Sequence, residues 1–331
     1  MQMQKINKLL LIGLTFFMGC SVGSGNWNDH IDQADRNKIK VLNSKIIDAL
    51  AENNPTKLKE VFSDELEKKA GSEIGKFVET VHEKFKPKDY SILDEYLENN
   101  SAIGTTATAM KGVSGESDYK ISYPVLTKET YISLLINNGS AKSELVTCIY
   151  GKYRSDWKLT VLKIGDYSYF GKTAIDFYKQ AKANYEKGNL VDAANNIVMI
   201  QRTATPAEDM FHYQNADSMA AFANKAWAEA NAKFVFPIKV EEIKTAPQIL
   251  NFSPTPMAEG IFPTVGYLTK INLKDTVSLK KENDELKNVI GKVLPGVDKE
   301  KKYVFFKAYN EIPNGKTPVE SYGFILNTLG Q

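Results

Sequence analysis

The chain of 331 residues is poor in the side chains that most often do chemistry, with two cysteines, Cys20 and Cys148, and three histidines, His30, His82 and His212. Two thiols allow at most one disulfide, so a body of this size has to hold by packing. Cys148 lies in the strand-like run Leu145-Val146-Thr147-Cys148-Ile149-Tyr150, which makes it a buried thiol rather than a nucleophile. Glu79 and His82 stand three apart on a predicted helix. Metal sites that use this spacing need a second such pair, and none exists, so no metal is expected. His30 sits among Asp29, Asp32 and Asp35 in an acidic stretch, and His212 closes Glu208-Asp209-Met210-Phe211-His212, where carboxylates early in a helix are explained by the helix dipole. There is no His-Glu-x-x-His, no Gly-x-Ser-x-Gly and no phosphate-binding glycine loop, since Gly112 and Gly115 mark a lone hairpin turn. No catalytic residue and no cofactor is expected, and the chain reads more as a binding protein than as an enzyme.

An excess of charge of one sign is also missing. Lys and Arg number 42 against 40 Asp and Glu, a net charge of +2, which gives no general drive towards nucleic acid. The aromatic run Tyr303-Val304-Phe305-Phe306-Lys307-Ala308-Tyr309 has the alternation of a strand core more than that of a base-stacking platform. Nor does any apolar run reach the roughly 20 residues that a membrane-spanning helix needs. The longest, Leu9 to Met18, is interrupted only by Gly13 and Thr15, follows Lys5 and Lys8, and ends at Gly19-Cys20. That is the build of a signal-peptide core.

A small residue directly before a cysteine at the end of such a core resembles the lipobox of bacterial lipoproteins, in which signal peptidase II cleaves ahead of the Cys. Phe17, where that family usually has Leu, departs from the pattern. The resemblance implies removal of residues 1–19 and lipidation of Cys20 on its sulfur and its amine. Each buried methylene contributes about 0.8 kcal/mol, so three acyl chains would hold the protein on its membrane permanently. Loss of Lys5 and Lys8 leaves 40 basic against 40 acidic residues. Residues 20–37 are expected to form the lipidated terminus and a flexible tether, of which Ser21 to Asn26 would span roughly 13 to 15 Å. Ser21 is not the Asp that marks inner-membrane retention in enteric bacteria, and no acidic cluster of the kind that marks surface export follows. The expected address is the cell envelope, on the periplasmic face of the outer membrane, with the membrane as first partner and an envelope protein as a second.

The body reads as α+β. Ile39, Leu42, Ile46, Ile47, Ala49 and Leu50 recur at helical spacing up to Asn53-Asn54-Pro55; Leu58, Val61, Phe62 and Leu66 predict a second helix; and Ile74, Phe77, Val78, Val81 and Phe85 a third. After Pro87, the runs Tyr119 to Leu126, Tyr131 to Ile136, Leu145 to Tyr150 and Trp157 to Ile164 read as antiparallel strands joined by hairpins. This order, over 38–170, is similar to the NTF2-like cone, in which a curved sheet wraps a long helix and leaves a pocket at the open end. In 171–233, Phe177, Ala181, Tyr185, Gly188, Ala193, Ile197 and Ile200 resemble one tetratricopeptide-like helical hairpin, and Ala216 to Ala232 adds an alanine-rich helix. Residues 234–331 read as a small α+β domain. Phe234 to Ile243 and Val265 to Leu273 are its first strands, with a loop carrying Pro247, Pro254, Pro256 and Pro263 between them. A helix over Leu279 to Val293 and two further strands, Tyr303 to Tyr309 and Val319 to Leu326, complete it.

The aromatic group at the first junction, Tyr167, Tyr169 and Phe170, is the candidate interaction surface, because tyrosine offers apolar area with a polar tip. The function expected from all this is a membrane-anchored, non-enzymatic binding or scaffolding module. The competing expectation is a small-molecule-binding protein or hydrolase that uses a pocket in the N-terminal domain.

Overall fold

The computed structural model describes residues 24–85, 89–137, 141–299 and 301–327. Cys20 and Ser21 to Gly23 lie outside them. The described chain is α+β, as its sequence pattern predicts. It divides into two compact units, an N-terminal one of residues 24–174 and 202–216 and a C-terminal one of 175–201 and 217–327. The stretch 171–233 therefore contributes most of its helices to the second unit and residues 202–216 to the first.

The N-terminal unit begins earlier than a flexible tether allows. Strand β1 (Ser24–Trp27) pairs antiparallel with β2 (Tyr90–Asn99), a one-turn helix at Asn28–His30 follows, and helix α1 spans Gln33–Ala51. Asp32 caps α1 by accepting from the Ala34 N–H at 2.8 Å, and Asp29 pairs with Arg36 at 3.0 Å. The acidic residues read as a mobile stretch are thus cap and ion-pair partners.

The single helix expected around 58–66 is two, α2 (Pro55–Lys59) and α3 (Asp64–Ala70). Between them the backbone turns to the edge strand β7 (Asp156–Tyr169): Ser63 N–H donates to the Leu159 carbonyl at 2.8 Å and Leu159 N–H to Val61 at 2.7 Å. Covering an exposed edge satisfies groups that a continued helix would have left unpaired on the sheet. Helix α4 (Glu73–Phe85) completes the helical layer.

Strands β2, β3 (Thr106–Lys111), β4 (Tyr119–Pro124), β5 (Glu129–Asn137), β6 (Lys142–Tyr153) and β7 form two sheets with β8 (Phe211–Tyr213). One runs β1-β2-β5-β6-β7 and the other β3-β4-β8. Register assigns the faces of the larger sheet. Leu97, Tyr131, Leu135, Val146, Cys148, Tyr150 and Leu159 point at α1, α2 and α4 and share one core with Ile39, Ile46, Leu50, Leu58 and Val78. The opposite face lies under the smaller sheet, where Tyr119 stacks on Phe211 at 4.6 Å. Gly165 belongs to that face, and a Cβ there would run into the Pro206 carbonyl oxygen, so the glycine lets residues 202–216 close over the sheet.

In the C-terminal unit, α5 (Ala174–Glu186) and α6 (Leu190–Thr203) turn at Gly188, which takes a left-handed φ of 74°. On α7 (Ala216–Lys233), Phe222 meets Tyr178 and Tyr185 edge to face at 5.6 Å each. A second five-stranded sheet follows, ordered β13-β12-β11-β10-β9. The strand expected over Phe234 to Ile243 shrinks to β9 (Ile238–Lys239), because Val240 to Ala246 fold into successive turns. The proline-bearing loop is instead a hairpin of β10 (Gln248–Met257) and β11 (Gly260–Leu268), with Pro254 opposite Pro263 and Pro256 opposite Ile261. These alternate pairs need no hydrogen bond across the hairpin, and β9 reaches only Gln248 and Ile249, so Pro254 and Pro256 sit where no N–H is required. Helix α8 (Thr276–Val293) is the crossover to β12 (Tyr303–Tyr309), which runs parallel to β11, and β13 (Tyr322–Asn327) closes the sheet.

Candidate functional site

The densest polar chemistry of the described residues is on β2, in Asp94-Glu95-Tyr96-Leu97-Glu98, a stretch too acidic to read as a buried strand. A bulge between Ile92 and Asp94 decides where each carboxylate goes. Ile92 lies opposite Leu135 on the helix face, but Asp94 lies opposite Leu134 on the other face, so the bulge sends Asp94, Tyr96 and Glu98 to one side and Glu95 and Leu97 to the other.

Asn28 fastens this kink. Held at a left-handed φ of 48°, it donates from its amide to Asp94 at 2.8 Å and accepts from the Glu95 N–H at 2.7 Å. Asp94 also accepts from the Tyr119 hydroxyl at 2.5 Å and pairs with Lys111 at 3.1 Å, while the Lys111 ammonium lies 5.7 Å from the Tyr119 ring centre. Glu95, on the helix face, accepts from Arg36 at 3.0 Å and from the Tyr131 hydroxyl at 2.8 Å. Deeper on that face Asn43 links the Tyr150 hydroxyl, at 2.6 Å, to the Ser133 oxygen, at 2.9 Å.

The electrostatics of the cluster are those of a structural network. Burial, and then Tyr96 and Asp94 beside Tyr119 and Glu95 beside Tyr131, push these two hydroxyls far above the ordinary tyrosine range, so both stay protonated donors. The hydrogen bond that Arg36 donates to Glu95 raises the guanidinium further above its ordinary value. Glu98 differs: burial alone raises its carboxyl, and its side chain lies over its cross-strand partner Gly25 on β1, where a Cβ would come within 2.5 Å of the Glu98 oxygen. Burial also pushes the Cys148 thiol up to about 12, which agrees with an unreactive core sulfur.

At the other end of the same sheet Lys142 bridges Glu144, at 3.1 Å, and Asp166, at 2.8 Å. This is where the aromatic candidate surface lands. Tyr169 is buried and donates its hydroxyl to Asp166 at 2.6 Å, Phe170 is half-buried at a left-handed φ of 52°, and Tyr167 is half-buried. The three side chains do not form an open aromatic face.

The remaining sequence candidates stay apart. His30 is exposed in the short turn before α1, and Glu79 and His82 lie on α4. Glu208 pairs with Lys163 at 2.6 Å while the His212 ring meets the Asp209 carbonyl, also at 2.6 Å, so that group does not converge. Among the described residues no cluster of three His, Cys, Asp or Glu could hold a metal ion, and no helix is long and apolar enough to cross a membrane.

Two open clefts accompany these networks. One in the N-terminal unit, of about 460 Å³, lies between α1 and the start of β2 and is lined by Lys40, Ser44, Asp48, Asp89 and Tyr90. The other, of about 420 Å³ in the C-terminal unit, is lined by Gln248, Thr269, Lys270, Asn272 and Asn310. On α8 the core-facing Glu282 and Asn283 are buried with no hydrogen-bond partner for their side chains in the described chain.

Fold and site together define an α+β protein of two units whose buried charge is organised for structure. Set against protein-family models, curated proteins and solved structures, the chain matches none significantly. The β2 network escaped sequence reading, and its only local signal is the alternation of acids with Tyr96 and Leu97 inside an apolar run.

Proposed function

We propose that the protein is a lipoprotein of the bacterial cell envelope, held through lipid on Cys20 at the periplasmic face of the outer membrane, and that it acts as a non-enzymatic binding or scaffolding module. The observation that carries this reading is the apolar run Leu9 to Met18, preceded by Lys5 and Lys8 and ended by Gly19-Cys20. Two features support it. Strand β1 begins at Ser24, four residues after that cysteine. The inner face of the larger sheet, where the NTF2-like reading expects a pocket, is filled by its own side chains, with Tyr131, Leu135 and Tyr150 fully buried against the helices. Mass spectrometry of the mature N-terminus tests the anchor: an acylated Cys20 in the native protein, and its loss in Cys20→Ala, is the expected result. Affinity capture from detergent-solubilised envelopes tests the role, and recovery of the bait alone argues against it.

The cleft beside α1 favours a second reading, a small-molecule-binding protein or hydrolase. Lys40, Asp48 and Asp89 in its lining suit a compact ligand that carries both charges, and nothing around it suggests a nucleophile. A ligand-induced rise in melting temperature that disappears in Lys40→Ala supports this reading, and a flat response across polar metabolites removes it.

A further inference from the structure

One end of the larger N-terminal sheet presents apolar side chains on a platform beside Ser24, where β1 begins. Register places Ser24 beside Asn99, Asn99 beside Glu129, and Thr130 beside Gly151, so the start of β1 shares this end with the end of β2 and the start of β5. The loops there are tied together. Asn100 N–H donates to the Lys128 carbonyl at 2.7 Å, Gly104 N–H to the Val125 carbonyl at 2.8 Å, and the Asn100 side chain joins Thr130, at 3.0 Å, to the Tyr123 hydroxyl, at 2.9 Å. On this platform Ile103 is 54% and Leu126 36% exposed, although each is large enough to have been buried. Trp27, 47% exposed, lies about 10 Å further along β1.

Only Ser21, Val22 and Gly23 separate Cys20 from Ser24. Four backbone steps of 3.3–3.6 Å reach at most about 14 Å, however the chain runs. We infer that this end of the N-terminal unit is seated on a lipid bilayer surface, with Ile103 and Leu126 entering its interfacial layer and Trp27 set about 10 Å back, on its water side. Apolar side chains are favoured at that depth, whereas in water their exposure gains nothing. The inference rests on the lipidation of Cys20 proposed above.

The test uses the full mature protein in phosphatidylcholine vesicles. Ile103→Cys, Leu126→Cys and, as control, Ile92→Cys each receive an environment-sensitive fluorophore. Lipid on Cys20 and the burial of Cys148 leave the introduced thiol as the labelled one. Ile92 is 40% exposed and lies about 23 Å back along β2 from Asn99. Labels at 103 and 126 should shift to the blue and lose intensity to lipids brominated near the headgroup, while the label at 92 does neither. If all three behave alike in protein whose N-terminus carries lipid by mass spectrometry, the seating is refuted and the anchor stands. If the mature N-terminus carries no lipid, the anchor reading fails and takes this inference with it.

Discussion

Replacing Arg36 by methionine should expose the logic of the β2 network, because Arg36 is the cation that faces the buried Glu95 carboxylate. The Glu95 side chain is 2% exposed and that of Arg36 25%, and the pair is 3.0 Å apart. Removing one partner of a buried pair typically costs 3–5 kcal/mol, since the other charge is left unpaired in a poor solvent for it. Here Glu95 keeps the Tyr131 hydroxyl at 2.8 Å, and Arg36 is partly in water, so the lower end applies, about 3 kcal/mol. The lost contact to Asp29, whose side chain is 93% exposed, adds little. Arg36→Met combined with Glu95→Gln removes both charges but keeps the shape and one acceptor for Tyr131. That double variant should fall within about 1 kcal/mol of the parent, which leaves a coupling of at least about 2 kcal/mol in the cycle. Urea unfolding of the four proteins, with the slope of the transition held constant, reads the numbers. If the single variant loses less than about 0.5 kcal/mol, or if the double falls as far as the two singles added together, the carboxylate is not held by Arg36 and the reasoning fails.

Glu98 has a carboxyl raised by burial, so the folded state holds its proton more tightly than the unfolded chain does, and this contribution to stability is present in acid and lost as pH rises through the raised value. Glu98→Gln should therefore flatten the fall in urea midpoint as pH rises above the ordinary glutamate range, and an unchanged slope there would count against a buried acid. Gly165→Ala should cost about 1–3 kcal/mol by forcing a Cβ into the Pro206 carbonyl, with limited proteolysis first cutting within 202–216; a silent substitution would show that this segment does not press on the sheet. Cys148 should resist thiol reagents in the native protein at neutral pH and react at once in denaturant, because its thiol is buried and pushed up to about 12; native labelling at a comparable rate would contradict its place in the core. Glu282→Met should raise stability by about 1–3 kcal/mol, since it replaces a buried carboxylate that has no partner in the described chain by an apolar side chain of similar length; a loss in calorimetry would mean that the carboxylate is satisfied.

Elements whose cause is local were legible. The stripe Ile39, Ile46, Ile47 and Leu50 makes α1, Pro295-Gly296 follows α8, Gly188 turns α5 into α6, and the β-branched and aromatic runs from Tyr119 to Ile164 became β4 to β7. Among the places misread, three have three different reasons. Acids disguised β2, whose burial depends on partners 66 residues away at Asn28 and 59 residues away at Arg36. Prolines disguised β10 and β11, because only register shows that their missing N–H groups face no acceptor. The helix expected across 58–66 broke because β7 offered its edge to Val61 and Ser63, an offer that no local pattern announces.

By itself, then, the chain's order of residues determined the α+β class, most helix and strand positions, the buried state of Cys148, and the pattern at Leu9 to Cys20 on which the envelope reading rests. Tertiary structure alone decided that Ser24 to Trp27 is an edge strand, which face each of Asp94, Glu95 and Glu98 takes, and that the aromatic group at 167–170 is largely covered. The difference is one of range. Periodicity and capping act within a turn or two of backbone, whereas the burial of a charge is settled by groups that only folding brings to it.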